Sequence, residues 1–182
     1  MSRMRLLAVP VLAAAMGLAT ATTASAATAS ITKAEYDKVK LGSSIATLKA
    51  TAGTGACKLV DSSSGGGITY KTYDCKGNKA YSTASFTFSN NKLGIKTQAG
   101  LDGGTSNGKM TKAKYLKITK GKTIAQMKAI AGSGTCVRVA QASSTGGYYS
   151  SMYECTQSST FGAASFLFEK GKLTIRSQSG LR

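Results

Sequence analysis

The 182-residue chain is 42% hydrophobic but only 7% aromatic, has no histidine and no tryptophan, and carries a formal net charge of +17. Without histidine, Ser-His-Asp and Cys-His catalytic arrangements are excluded. The positive field favours an acidic partner and weakens as salt rises; the lysines are spread along the chain and no nucleic-acid-binding motif occurs, so no specific nucleic-acid partner is expected.

Arg3 and Arg5 open the chain, a small-apolar run covers residues 6–20, and Ala24-Ser25-Ala26 is an A-x-A cleavage signal. Residues 1–26 are therefore expected to be a secretory signal peptide, cut after Ala26, and the product to be secreted. The run is too short and alanine-rich for a membrane anchor, and no later segment is apolar enough to span a bilayer. Removing Arg3 and Arg5 from the 24 basic residues leaves +15 against the 7 acids.

Thr32-Lys33-Ala34-Glu35 is a capping-box pattern that opens a short helix. Gly42 breaks the chain, Ser43 or Ser44 can cap a second helix, Ile45 and Leu48 share one of its faces, and Gly53 ends it. After Cys57 the texture becomes that of strands. A short one is expected near 58–60, a second over 68–75, and two more at Ala84-Ser85-Phe86-Thr87-Phe88 and Leu93-Gly94-Ile95-Lys96-Thr97, around an Asn90-Asn91 hairpin turn. Gly65-Gly66-Gly67 reads as a flexible loop, since it lacks the strand, lysine and helix of a phosphate-binding loop. Residues 102–109 are a Gly/Ser-rich linker.

The same series then recurs. Thr32, Tyr36, Gly42, Ile45 and Cys57 match Thr111, Tyr115, Gly121, Ile124 and Cys136, 79 positions on. Cys75, Phe86, Phe88, Leu93 and Gln98 match Cys155, Phe166, Phe168, Leu173 and Gln178, 80 positions on, so the second copy has gained one residue between its cysteines. In that copy Lys114 stands where the first has Glu35, Thr123 is the helix cap, Ile124 and Met127 share a face, and Lys170-Gly171 is the hairpin turn. The expected fold is α+β: two tandem repeats, 27–101 and 110–182, each a helix-loop-helix packed on a four-stranded antiparallel sheet.

Each unit of roughly 70 residues is small for an independent core. Two cysteines per unit make disulfides the default in an exported chain. Of three possible pairings the repeat favours Cys57 with Cys75 and Cys136 with Cys155, each worth about 3 kcal/mol in the chain-entropy model. A metal site is the alternative, disfavoured because histidine, C-x-x-C spacing and clustered acids are all lacking; neither metal nor other cofactor is expected.

If Phe86, Phe88, Leu93 and Ile95 face the helices, alternation turns Tyr81, Thr83, Ser85, Thr87, Lys96 and Gln98 outward, and in the second copy Ala163, Ser165, Leu167, Arg176 and Gln178. Tyr70, Thr72 and Asp74, with Tyr148, Met152 and Glu154, share one face of the strand before each second cysteine. Such a sheet face is either a binding surface or ordinary solvated sheet. Asp74 and Glu154 occupy equivalent places and could approach as a glycosidase pair, but a structural position derived from the repeat is the better reading. No catalytic residue is assigned, and the chain is read as a non-enzyme.

The order helix, Val39-Lys40-Leu41-Gly42-Ser43, helix, Gly53 and Cys57, repeated through Ile118, Gly121-Lys122-Thr123, Gly132 and Cys136, and followed each time by a second cysteine, a Phe-x-Phe strand and a hairpin, resembles the beta-lactamase inhibitory protein family of the tandem-repeat kind. The resemblance covers essentially the whole chain after residue 26. It implies a concave eight-stranded sheet that grips a class A beta-lactamase, with two loops reaching into the enzyme's active site. In the family the first loop offers an aspartate; the matching stretch here is Lys76-Gly77-Asn78-Lys79-Ala80-Tyr81, with Lys79 about where the acid should be and the nearby tyrosine kept as Tyr81. The second loop offers a phenylalanine, for which Phe161 is the counterpart. The family's tryptophans are absent, with Ser165, Leu167 and Ser179 near those positions.

The residues expected to contact a partner are Lys79, Tyr81, Tyr148, Tyr149, Phe161 and Arg176. The expected partner is a class A beta-lactamase or another acidic extracellular protein, bound by a monomer. The alternative is a non-inhibitory basic module for an acidic protein or an anionic cell-envelope polymer.

Overall fold

A computed structural model describes residues 29–101, 106–144 and 147–182. The expected signal peptide, 1–26, lies outside the described residues, as do residues 102–105 of the linker. The chain enters through α1 (Lys33–Lys38) and α2 (Ile45–Ala52), continues through β1 (Cys57–Gly65), β2 (Ile68–Lys76), β3 (Thr83–Ser89) and β4 (Lys92–Ala99), and then runs through the same order again. The second series is α3 (Lys112–Lys117), α4 (Ile124–Ala131), β5 (Cys136–Ser144), β6 (Tyr148–Gln157), β7 (Gly162–Glu169) and β8 (Lys172–Ser179).

The helices are too short to persist alone, so their ends are fixed by side chains. Thr32 and Glu35 form the expected capping box on α1. Ser44 caps α2, Thr111 caps α3, and Thr123 with Gln126 forms a second capping box on α4. The β1–β2 connection is tighter than the flexible loop expected at 65–67. Gly66 and Gly67 both have positive φ, 59° and 77°, a two-residue turn that side chains resist. Its tightness extends β1 to nine residues through a serine run without apolar alternation, which is why the sequence shows only its first three.

All eight strands form one antiparallel sheet in the order β1 to β8. One face of that sheet is packed against the helices. Tyr36, Leu48, Tyr73, Phe86, Phe88 and Leu93 are buried under α1 and α2; Ile118, Met127, Tyr153, Phe166, Phe168 and Leu173 are buried under α3 and α4. The disulfides are Cys57–Cys75 and Cys136–Cys155, each tying the first strand of a series to the second beside its cluster.

The last strand of each series departs from strict alternation. The β3–β4 register shifts between Thr87 and Phe88, and the β7–β8 register between Leu167 and Phe168. Phe88 opposes Leu93 while Thr87 opposes Ile95, so Gly94 is the extra residue of a β-bulge; Thr174 holds the same place in β8. Beyond the bulge every side chain changes face. The outward placement expected for Lys96, Gln98 and Arg176 is thereby corrected, and Ile95 and Ile175 point away from the helices instead.

Lys96 is 1% exposed beneath α1. Its Nζ donates to the carbonyls of Tyr36 (2.9 Å) and Val39 (2.7 Å) and lies 4.3 Å from the centre of the Tyr36 ring. Arg176 does the same under α3, with Nη1 donating to the carbonyls of Tyr115 (2.8 Å) and Ile118 (2.7 Å) and the guanidinium 4.7 Å from the Tyr115 ring. Each cation satisfies carbonyls at a helix C-terminus, where the peptide dipoles favour positive charge.

Between the two series, β4 pairs with β5 over Ile95↔Ala142, Lys96↔Gln141 and Thr97↔Ala140. The Gln98 amide donates to the Arg138 carbonyl at 3.0 Å, and Arg138 Nη2 meets Asp37 Oδ1 at 3.1 Å. Partial burial pushes the Asp37 carboxyl up, but its hydrogen bond with Lys33 and the charges of Lys33, Arg138 and Lys96 outweigh that and hold it below the ordinary carboxylate range.

Burial, aided by the charge of Arg138 and opposed by that of Asp37, pushes Lys96 down from 10.5 to about 8. Between those values the unfolded chain binds a proton that the folded chain has released, so this group makes stability rise with pH from about 8 to 10.5. Unfolding free energies from urea titrations across that window are expected to rise by at most about 1.4 kcal/mol per pH unit on its account. Lys96→Arg, the residue that β8 uses, should remove this rise while keeping both carbonyl contacts. Lys96→Met, which orphans the two carbonyls, should cost about 2–3 kcal/mol at neutral pH.

A candidate partner-binding surface

Antiparallel order places the β2–β3 and β6–β7 connections at the same end of the sheet. Each begins just after a disulfide cysteine, and each holds one fully exposed aromatic residue, Tyr81 in the first and Phe161 in the second. Both have left-handed backbone, with φ of 58° and 52°. For a bulky side chain this is a strained conformation. It is imposed by the loop around it. In the first loop Ser82 Oγ accepts from the Lys79 amide (3.0 Å) and donates to the Lys79 carbonyl (2.7 Å), while the Gly77 amide donates to the Ser82 carbonyl (2.8 Å).

In the second loop Thr160 Oγ1 donates to Gln157 Oε1 (3.0 Å), which also accepts from the Arg182 amide (2.8 Å). Gly162 follows Phe161, and a Cβ there would lie 2.7 Å from the Gly180 carbonyl oxygen, so only glycine lets the chain end pass so close. Beside Phe161 is a cavity of about 340 Å³ with a mostly small-residue lining that includes Ser106, Thr156, Ser158 and Ala163. Tyr81 and Phe161 are separated by four strand spacings, about 19 Å along the sheet end. Lys79 is exposed in the same loop as Tyr81.

The sheet face away from the helices begins between these loops. Its rows follow from cross-strand pairing: Thr72, Thr87, Ile95 and Ala142 lie in one, and Thr97, Ala140, Met152, Leu167 and Ile175 in another. Ile95 and Ile175 are about half exposed. The face is therefore more apolar and less basic than alternation alone predicts. Neither isoleucine is among the residues expected to bind; the signal for both is Gly94, an isolated glycine inside a strand pattern, which marks a bulge.

The remaining expected residues are spread over both faces. Tyr148 lies on the open face, and its hydroxyl donates to Glu169 Oε1 at 2.9 Å, which raises its pKa above the ordinary tyrosine value because the bond favours the protonated form. Tyr149, one residue on, takes the opposite face, where its hydroxyl accepts from Gln141 Nε2 at 2.6 Å. Arg176 is spent on the α3 carbonyls. Asp74 and Glu154 are exposed on β2 and β6, four strands apart, beyond the roughly 5–9.5 Å that paired glycosidase carboxylates require.

The sequence model of the beta-lactamase inhibitor (BLIP) family matches residues 32–155. A solved structure from Streptococcus mutans, described as a candidate beta-lactamase inhibitor protein, shares the fold with a TM-score of 0.62 at 17% identity, covering 82% of this chain and 95% of that one. Among curated proteins none matches the chain. With the family match running from the cap of α1 to the second cysteine of β6, this chain belongs to the beta-lactamase inhibitor (BLIP) family.

Proposed function

We propose that this chain is a secreted, tandemly duplicated binding protein that engages a partner enzyme of the beta-lactamase type through its open, concave sheet face and two aromatic loops. Residues 1–26 are removed on export. The observation that carries the reading is the pair Tyr81 and Phe161: two fully exposed aromatics, held in left-handed backbone at equivalent places, each six residues after its disulfide cysteine. A fully solvated aromatic gains nothing for the fold, and its strained backbone costs stability. Both features favour a role in an interface, where aromatic anchors supply most of the binding energy.

The apolar row that includes Leu167 and Ile175, with Ile95 in the row beside it, supplies the centre of such an interface, with the loops as its rim. No catalytic role is assigned to any residue. A second reading, a non-inhibitory module for an acidic protein or anionic envelope polymer, draws on the net charge of +15 left after residue 26 and on Lys79 beside Tyr81. It loses ground because Lys96 and Arg176 are turned under the helices rather than toward a partner.

Nitrocefin hydrolysis by a panel of class A beta-lactamases should be inhibited by sub-micromolar oxidised protein. Tyr81→Ala and Phe161→Ala should each weaken inhibition about thirtyfold, the scale of a hot-spot residue. No inhibition at tens of micromolar would exclude those enzymes as partners and favour the second reading, whose signature is binding to anionic targets that fades steeply with salt.

Tyr81→Gly and Phe161→Gly separate strain from contact. Each should leave the thermal midpoint unchanged or raise stability by up to about 1 kcal/mol, while weakening binding as much as the alanine variants. A clear loss of stability in the glycine variants would assign the aromatics to the fold instead.

A further inference from the structure

Among the described residues β1 and β8 are the outermost strands of the sheet, and its one internal seam is where β4 meets β5. Along the chain β5 is the equivalent of β1, and β8 the equivalent of β4. The two edges are thus the two sides of the seam; the outer edge of β8 is bonded at Leu173 by Gly121 and Lys122, as that of β4 is at Leu93 by Gly42 and Ser43, and the stretch equivalent to the seam lies beyond it. We propose that β8 of one copy adds to β1 of the next in the register of the β4–β5 seam, so that the protein associates head to tail with itself.

Burial is the first support. β1 is exposed at eight of its nine residues, whereas β5 is exposed at one of nine. The surface that β4 covers on β5 stands bare on β1. The same holds across the seam: Gln98 of β4 is buried, and its counterpart Gln178 of β8 is exposed.

The second support is a matched change of chemistry. At the seam Arg138 of β5 meets Asp37 of α1. The residue equivalent to Arg138 is Leu59, and the one equivalent to Asp37 is Leu116. Both leucines are exposed, at 48% and 56%. A single exposed leucine needs no explanation. Here two occupy reciprocal positions of one known strand–strand interface, so a neighbouring copy in seam geometry would bury one against the other where the internal seam holds an ion pair.

The third support is a hydrogen bond that is half made. Gln98 Oε1 accepts from the Leu101 amide (3.1 Å), and its Nε2 crosses the seam to the Arg138 carbonyl (3.0 Å). Gln178 keeps the first contact, accepting from the Leu181 amide (3.3 Å), while its Nε2 donates to nothing among the described residues. In seam geometry that amide would meet the Leu59 carbonyl. The register irregularity at Val60, of a kind that often protects an edge, is no obstacle. β5 has the same one between Arg138 and Ala140, and β4 pairs just beyond it. The corresponding residues of β1 are Asp61, Ser62 and Ser63.

Such contacts use different patches on the two copies, so they propagate until a ring closes or the chain of copies ends. A three-pair seam between positively charged copies is weak at low ionic strength and strengthens as salt screens the repulsion. This association is independent of the partner assigned to Tyr81 and Phe161, since neither residue lies on an edge strand.

Sedimentation velocity of the purified, oxidised protein, from micromolar to millimolar concentration at physiological and at high salt, tests this. The weight-average mass should rise with concentration, and more so at high salt. Leu59→Arg and Leu116→Asp should each lower the association constant about tenfold or more, the scale of one leucine left unburied beside a charge. Mixing the two variants, or combining both changes in one chain, should restore association, because the carboxylate introduced on α3 of one copy then meets the guanidinium introduced on β1 of the next, as Asp37 meets Arg138. A single monomer mass throughout, the state expected from the sequence, would overturn the proposal. So would association indifferent to both leucine changes, or single variants that weaken it without rescue on mixing.

Discussion

The bulge in the last strand of each series sets what this molecule shows to its surroundings. One extra residue, Gly94 or Thr174, changes the face of everything after it. On the inner side it brings a cation under a six-residue helix whose C-terminal carbonyls would otherwise lack partners. On the outer side it leaves Ile95 and Ile175 where Lys96 and Arg176 would have stood. A helix of this length has little stability of its own, so its docking depends on that cation and on the aromatic ring beneath it. The same local event fixes the helix layer and gives the open face its apolar character.

Rigidity at the loop end follows from a separate constraint. The disulfides tie β1 to β2 and β5 to β6 close to where Tyr81 and Phe161 are presented. Each half has a small core, and a cross-link that limits the unfolded chain counts for more in such a unit. It also limits how far the following loop can relax. Left-handed backbone at a tyrosine and a phenylalanine persists only where surrounding structure over-determines it, and here Ser82, Gln157 and the Gly162–Gly180 approach do so. A loop backbone already held in free solution loses less entropy on binding than one that must be ordered by its partner.

Much of the architecture is legible in the sequence because each signal has a local physical cause. Thr32 with Glu35 predicts a helix start, Asn90-Asn91 predicts a turn, and the alternation through Phe86 and Phe88 predicts one buried face. The disulfide pairing follows from the recurring cysteine spacing. What alternation could not give is the phase after Gly94, because a bulge is decided by pairing with β3 and by what the helix above requires. Read with its equivalent, the position had a clue: a cation two residues before a glutamine in both copies, Lys96 with Gln98 and Arg176 with Gln178. For the same reason alternation puts Arg176 on the binding face, whereas it lies beneath α3. Tyr148 and Tyr149 illustrate the simpler limit. Adjacent strand residues cannot share a face, and composition alone does not say which of them is outside. Tyr81 and Phe161 are legible only through the family resemblance, since nothing in periodicity distinguishes an exposed loop aromatic from a packed one.

Comparing the two halves separates the demands of the fold from those of the surface. Equivalent positions that are buried stay apolar, with the residue kept at Phe86 and Phe166, Phe88 and Phe168, and Leu93 and Leu173, and exchanged for another apolar one at Val39 and Ile118 or Leu48 and Met127. Equivalent positions that carry a cation for a helix end keep the charge but not the side chain, lysine in one and arginine in the other. Where the two halves have different neighbours, equivalent residues differ in charge. Asp37 and Arg138 meet each other across the seam, while Leu116 and Leu59 face outward at the ends of the sheet. Partial exposure lets an ion pair at the seam form at modest desolvation cost, and it orients one half against the other. The outer positions have no such internal partner, so the fold places no demand for charge on them. Their leucines answer to whatever lies beyond the edge strands.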